Sequence, residues 1–316
     1  MVRILVTGAG GFIGTALCPA LAARGHRVIA GVRRAAPPPE GGEPLVERIA
    51  ALGDIGPATD WPAMLDGVEI VVHLAQRAYA GPGPAALAAE PATVAALVRA
   101  AAAGGTKRLV LLSSIKAMGE ATGPGRPFRP GDAPRPEDEY GRTKLASEQA
   151  AAAAVRETGL ELVVIRPPLV YGPGVRANFR ALLRLAQSGL PLPFAAINNR
   201  RSLIFRDNLV DLIALATIHP AAAGTVLLVR DGEDYSTPQL IRALAAGLGK
   251  KARLFPVPGA VFAALRTLPR IGRKLERLTL TLQVDDAATR AALGWSPPVT
   301  AASGLARTAR AFAGRL

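Results

Sequence analysis

One cysteine, three histidines and 4% aromatic residues are all that this 316-residue sequence offers toward disulfides, metal centres and stacking platforms. Cys18 alone cannot close an internal bridge, which excludes a disulfide-stapled fold and fits a reducing, cytoplasmic compartment. The few histidines show no zinc-ligand spacing, so no metal is expected. No charge-free apolar run approaches the roughly 18–20 residues that span a bilayer. The opening Met1-Val-Arg-Ile-Leu-Val-Thr-Gly8 reads as a strand and turn rather than a signal peptide. Acidic residues are also in short supply: 24 against 38 Lys and Arg give a net charge of +14. That balance points to anionic partners. The basic residues are scattered, with no RNA-binding motif and no long basic tract, so nucleic acid is not expected and small anions are.

What the sequence has in quantity is apolar residues, 50% of the total, enough for a sizeable core. Apolar runs of strand length fall at 2–7, 27–32, 46–51, 69–74, 107–113 and 160–166. Helix-length stretches between them include 12–24, 85–103 and 137–157. Strands alternating with helices predict an α/β fold, a Rossmann-like doubly wound parallel sheet over residues 1–168. The pattern changes after residue 168. Loops at 171–174 and 191–193 and helices at 177–188, 208–217, 237–248, 261–267 and 301–313 predict that residues 169–316 form mainly a smaller lobe, with a returning strand at 225–229 completing the sheet.

The first strand runs into Thr7-Gly-Ala-Gly-Gly-Phe-Ile-Gly14. Gly8, Gly11 and Gly14 carry the spacing of a dinucleotide-binding turn. One glycine makes the bend, one admits a pyrophosphate to the backbone, and one lets the helix pack on the strand. The helix start then offers its unpaired N–H groups and partial positive charge to phosphates.

A second signal is Tyr140-Gly-Arg-Thr-Lys144, whose i, i+4 spacing puts a phenol and an ammonium on one helical face. A third is Ser113-Ser114, at the end of the fifth strand, the side of a parallel sheet where ligands bind. The trio suits carbonyl–alcohol chemistry. An alkoxide formed by hydride delivery needs a proton, and a free phenol has a pKa of about 10. Moving it to about 7 takes roughly 4 kcal/mol. A cation about 4 Å away supplies roughly that amount at an effective dielectric near 20.

With these motifs in hand, the sequence resembles the extended short-chain dehydrogenase/reductases, within them the sugar-nucleotide epimerase/dehydratase family. The likeness runs through Gly53-Asp54, His73-Leu-Ala75, Ser113-Ser114, Tyr140-x-x-x-Lys144, Arg166-Pro167 and Val170-Tyr-Gly-Pro173. Ser113-Ser-Ile-Lys-Ala-Met-Gly-Glu120, Asn199-Arg-Arg-Ser202, Asp207-Asn-Leu-Val-Asp211 and Leu293-Gly-Trp-Ser-Pro-Pro298 look like bacterial reductases or epimerases of UDP-linked 4-keto and N-acetyl sugars. The resemblance implies Tyr140 as acid/base, Lys144 as its partner and ribose ligand, and Ser114 rather than Ser113 as the active hydroxyl. It implies Asp54 at the adenine amino group and Ala75 beside the nicotinamide-side ribose. Further cofactor contacts fall at Phe12, Ile13, Ile55, Leu74 and Pro167. Asn178, Arg201 and Arg277 fall where the family binds the nucleotide diphosphate or ribose. His73 reads as a polar strand end, not a catalytic group. The sequence departs from the family at Glu90-Pro-Ala-Thr-Val94, where Asn followed by Gly-Thr is common. The resemblance also implies a homodimer built from the two long helices flanking the sheet.

The second strand ends Val32-Arg33-Arg34, with no carboxylate for ribose hydroxyls and two guanidinium groups that fit a 2′-phosphate. NADP(H) is therefore the expected cofactor, with NAD(H) as second choice. That choice puts an NADPH-dependent 4-ketoreductase of a UDP-linked deoxy-N-acetylhexosamine first and a UDP-sugar 4-epimerase second. A non-catalytic dinucleotide-binding scaffold or redox sensor comes third, since Tyr140 and Lys144 are both retained. The segment 260–282 mixes Val261, Phe262, Leu265 and Leu268 with Arg266, Arg270, Arg273, Lys274 and Arg277. It reads as a wall of the lobe, and less readily as a surface for an anionic membrane.

Overall fold

The computed structural model describes residues 1–34, 46–76, 84–123, 125–268 and 272–314. Strands β1 (Arg3–Thr7), β2 (Arg27–Val32), β3 (Arg48–Ala51), β4 (Ile70–His73), β5 (Arg108–Leu112) and β6 (Glu161–Arg166) are followed by β7 (Leu169–Tyr171), β8 (Arg201–Phe205), β9 (Val226–Leu228) and β10 (Asp234–Tyr235). The helices of the first half are α1 (Gly14–Ala22), α2 (Pro62–Leu65), α3 (Pro84–Ala88), α4 (Glu90–Ala103) and α5 (Glu139–Thr158). Those of the second are α6 (Ala177–Ser188), α7 (Arg206–Ile218), α8 (Thr237–Gly247), α9 (Gly259–Arg266), α10 (Gly272–Thr279), α11 (Ala287–Leu293) and α12 (Ala301–Ala313).

The main sheet has seven parallel strands in the order β3-β2-β1-β4-β5-β6-β9, and this is the doubly wound α/β fold expected. Its central strands are continuous apolar runs because both faces are covered. Ile4, Val6, Val72 and Val110 pack toward α1 and α7, whereas Leu5, Val71, Leu109 and Leu111 pack toward α4 and α5. Strand order reverses between β1 and β4, so the crevice at their carboxyl ends, beyond Thr7 and His73, is where a dinucleotide fits.

The second half also contributes to the main sheet. β9 pairs with β6, and α7 lies on the main sheet through Leu209, Leu212 and Ile213. The remaining elements gather around a separate cluster of Tyr171, Phe179, Leu183, Phe205, Leu240 and Leu305 beside a small sheet ordered β10-β8-β7. Asp231 ties the two parts together. Its buried carboxylate accepts from the Tyr171 hydroxyl (2.7 Å), the Asn208 amide (2.8 Å) and the Phe205 N–H.

Local departures from the sequence reading have local causes. The stretch 85–103 is two helices, because Pro91 has no N–H for the residue 87 carbonyl and its ring crowds that carbonyl, so α4 starts afresh at Glu90. Tyr171 closes strand β7 rather than opening a loop. By length and composition Ala86–Ala103 could cross a membrane. In the fold it covers the sheet beside α5, with Val94, Leu97, Val98 and Ala101 buried. In the 260–282 segment Val261, Leu265 and Leu268 are exposed and Phe262 is buried in the lobe core, while Arg270 and the side chains of Arg273 and Lys274 lie outside the described residues.

Buried Arg108 fastens α7 to the sheet. Its guanidinium donates to the carbonyls of Ala216 (3.0 Å), Thr217 (3.0 Å) and His219 (2.9 Å) at the negative end of the helix, and it pairs with Glu161. Arg108→Met is expected to lower stability by about 2–3 kcal/mol, because charged hydrogen bonds are lost and carbonyls are left bare. Urea denaturation followed by circular dichroism checks this.

Candidate active site

The β1–α1 turn is built for close approach. Gly8 has φ +73°, and a Cβ there would sit 2.8 Å from the Ala75 nitrogen. A Cβ on Gly14 would run into the Gly8 carbonyl, which is why the first turn of α1 can fold back on β1. Gly11 donates to the Gly8 carbonyl at 2.9 Å, and Gly10 and Gly11 are exposed. Helix α1 begins after Ile13 with no side-chain cap and no acidic residue in its first turn. The Thr15 and Ala16 N–H groups already donate to the Gly11 and Ile13 carbonyls, so it is the positive end of the helix dipole and the exposed backbone at Gly10 and Gly11 that suit a pyrophosphate. Phe12 lies under the Arg206 guanidinium, 5.6 Å from its ring centre.

Across the crevice, Thr7 Oγ1 shares a 2.8 Å hydrogen bond with His73 Nδ1 and accepts from the Ala75 N–H at 3.3 Å. Leu74 N–H donates to the Thr7 carbonyl. Burial holds the His73 imidazole down to about 3, with Lys144 adding to the effect, so His73 is a neutral structural bridge. At the other end of the crevice Arg33 pairs with Asp54 at 3.0 Å, both exposed, and Arg34 is exposed beside them. A groove of about 480 Å³ lined by Leu52, Gly53, Asp54, Pro57, Thr59 and Met64 opens there, and half-buried Ile55 packs against the core beneath.

Helix α5 presents Tyr140 and Lys144. Asp138 caps it by accepting from the Gly141 N–H at 2.7 Å, and Gly159, left-handed at φ 71°, ends it. The Lys144 ammonium stands 5.3 Å from the centre of the Tyr140 ring. Lys144 is buried; its Nζ donates to Gln76 Oε1 and lies 3.9 Å from Glu90. Burial pulls the ammonium down to about 8, against the opposing pull of Glu90 and then Glu148. The other Gln76 amide group, Nε2, is buried and meets no acceptor among the described residues. A donor of that kind beside Lys144 suits a ribose hydroxyl, a second sign that this crevice fits a dinucleotide.

The two serines divide their tasks. Ser113 is buried and donates to the Glu148 carboxylate, which Arg166 grips at 3.0 and 3.1 Å. Ser114 is half-buried, caps the turn at Ile115–Ala117 and accepts from the Lys116 N–H at 3.2 Å. The buried Pro167 carbonyl accepts from Ile115, which anchors this turn to the end of β6. Lys116 reaches Asp138 at 2.6 Å and Glu120 at 2.7 Å, and a Cβ on Gly141 would run into the Lys116 carbonyl. The Ser114 turn and the start of α5 are thus braced against each other.

Arg277 donates to Asn178 Oδ1 at 3.0 Å on the lobe side. Arg201 donates to the Leu280 carbonyl at 3.2 Å. Burial lowers the Arg201 guanidinium to about 10, with Glu120 opposing and Arg277 reinforcing that shift. The three residues expected at a nucleotide diphosphate therefore share one neighbourhood. Sequence reading passed over Gln76, Glu148 and the Lys116–Asp138 brace. Of these only Glu148, four residues after Lys144, had a spacing that placed it on the same face.

Residues 4–229 match the NAD dependent epimerase/dehydratase family. A UDP-glucose 4-epimerase from Vibrio cholerae is 40% identical over 98% of this chain and 95% of its own length. A 2-alkyl-3-oxoalkanoate reductase from Stenotrophomonas maltophilia is 31% identical over 87% of this chain and 83% of its own length. Among solved structures, MoeE5 in complex with UDP-glucuronic acid and NAD superposes with a TM-score of 0.77 at 25% identity, covering 99% of this chain and 100% of that one. The chain belongs to the NAD dependent epimerase/dehydratase family, as the sequence motifs implied.

Proposed function

We propose that this protein is a UDP-sugar 4-epimerase that retains its nicotinamide dinucleotide through turnover. The observation that carries the reading is the buried Lys144 beside Tyr140, on a helix braced to the turn that bears Ser114. Residues 1–168 supply the dinucleotide crevice, and the lobe formed within residues 169–316 receives the UDP-sugar. When bound, the nicotinamide supplies a reversible hydride acceptor next to the sugar C4. Tyr140 takes the proton from the sugar 4-hydroxyl and returns it. Lys144 favours the phenolate by its charge. Ser114 holds the same oxygen by a hydrogen bond. Asn178, Arg201 and Arg277 neutralise and orient the diphosphate.

The sequence reading put a 4-ketoreductase ahead of an epimerase. The 40% identical relative named as a 4-epimerase supports the opposite order. Incubation with UDP-glucose or UDP-N-acetylglucosamine is expected to give the C4 epimer with no net change in absorbance at ~340 nm. Stoichiometric NADPH loss on a 4-keto substrate without epimer exchange would overturn the proposal in favour of the reductase.

On the cofactor, Arg33 and Arg34 support NADP(H). The Arg33–Asp54 pair and the NAD complex of MoeE5 support NAD, the reading proposed here. A guanidinium already matched to a carboxylate has less charge to offer a 2′-phosphate. Mass spectrometry of the nucleotide that co-purifies is expected to find NAD; NADP in its place would reinstate the arginines as phosphate ligands.

A further inference from the structure

Two cations and two carboxylates are buried together along the face of α5 that carries Tyr140. Lys144 and Glu148 come from α5 itself, Arg166 from β6, and Glu90 from the first position of α4. Their side chains are 3–7% exposed, so solvent screens little of the charge among them. Glu148 is already engaged: Arg166 binds both of its oxygens, and Ser113 donates to it as well. Glu90 lies 3.9 Å from the Lys144 ammonium, at the positive end of the α4 dipole, which favours a carboxylate there.

We propose that Glu90 is the buried counter-ion of Lys144 and so sets the pH range over which the Tyr140–Lys144 pair works. Glu90 acts through Lys144 and is a positioning residue. Among the described residues, the groups facing Lys144 are Tyr140 and Glu148 on α5, His73 on β4, Gln76 after it, and Glu90 on α4. His73 is neutral and adds no charge near pH 7, and Gln76 contributes only a carbonyl dipole. Among the described residues Glu90 is the carboxylate that comes within 4 Å of the Lys144 ammonium, and on that distance it is the one placed to offset Lys144 desolvation. Without it, burial drives the ammonium toward the neutral amine at lower pH, and the phenol loses the charge that favours its ionised form.

This inference rests on the proposed roles of Tyr140 and Lys144, but its first test needs no turnover. Protein labelled with [13Cε]lysine is titrated by NMR, and the Lys144 signal is identified by its loss in Lys144→Met. In Glu90→Gln the Lys144 midpoint is expected to fall by about one to three pH units, as for removal of an opposite charge within about 4–6 Å. Coincident titrations in parent and variant would overturn the proposal even if epimerase activity is confirmed. Should Glu90→Gln fail to fold, Glu90→Asp, which withdraws the carboxylate by one methylene, decides the same question: a lower midpoint supports the counter-ion role and an unchanged one removes it. In the pH–rate profile the alkaline limb of kcat is expected to move down with the NMR midpoint while KM stays near the parent value. A profile that does not move with the Lys144 titration would overturn the link to turnover.

Discussion

Tyr140→Phe is expected to lower turnover by about 10²- to 10⁴-fold, the usual contribution of a positioned acid/base group, and to leave dinucleotide binding intact. The substitution removes one oxygen. It preserves the ring that stands 5.3 Å from Lys144 Nζ and leaves the Asp138 cap and the contact of Gly141 with the Lys116 carbonyl in place. Helix α5 should therefore hold its position, and the groups that fit a pyrophosphate, at the β1–α1 turn, lie on other elements. Steady-state assay of C4 epimer exchange, together with calorimetric titration of the dinucleotide, separates the two effects. Full turnover in the variant would rule out Tyr140 as the proton-moving group. Loss of dinucleotide binding would show that the hydroxyl serves the cofactor instead.

The second large effect concerns stability. Glu148→Ala is expected to destabilise the fold by about 3–5 kcal/mol, because it leaves the Arg166 guanidinium buried without its partner. Arg166 sits at the end of β6 with a 6% exposed side chain, donating to both Glu148 oxygens and reaching the Met118 sulfur at 2.7 Å. Ser113 would lose its acceptor in the same variant. The double variant Glu148→Ala with Arg166→Met removes the stranded charge and should recover part of the loss. Guanidinium denaturation of parent, single and double variants measures this. If the double variant is no more stable than Glu148→Ala alone, the stranded charge is not the source of the loss.

How much of this was legible beforehand depended on the range of the interaction involved. The β1–α1 turn and the Tyr140–Lys144 face were readable because their geometry is encoded within a few residues: glycines at fixed offsets in one case, a helical turn in the other. Six strands of the main sheet were readable as apolar runs bounded by polar segments, and the seventh, β9, as the returning run at 225–229. The small sheet was not. β7 and β10 span three and two residues, and β8 opens with an arginine, so no period-2 pattern has room to develop. The partners of Lys144 were hidden for another reason. Gln76 and Glu90 lie 68 and 54 residues away along the chain, and only the packing of α4 and α5 on the sheet brings them together. The Arg33–Asp54 pair likewise needs β2 and β3 side by side.

The path of the chain through β9 and α7 has a further consequence. After completing most of the sheet it leaves to start the lobe, then returns to cover β6 and one sheet face before departing again. A fragment ending near residue 168 would bare the backbone groups of β6 along an open edge and uncover apolar side chains beneath α7, inviting aggregation. The lobe that is proposed to receive the sugar is thus threaded into the sheet that would bind the dinucleotide. The chain passes between sheet and lobe at β6–β7, β8–α7 and β9–β10, and each crossing is a covalent tie that limits how far the two can separate.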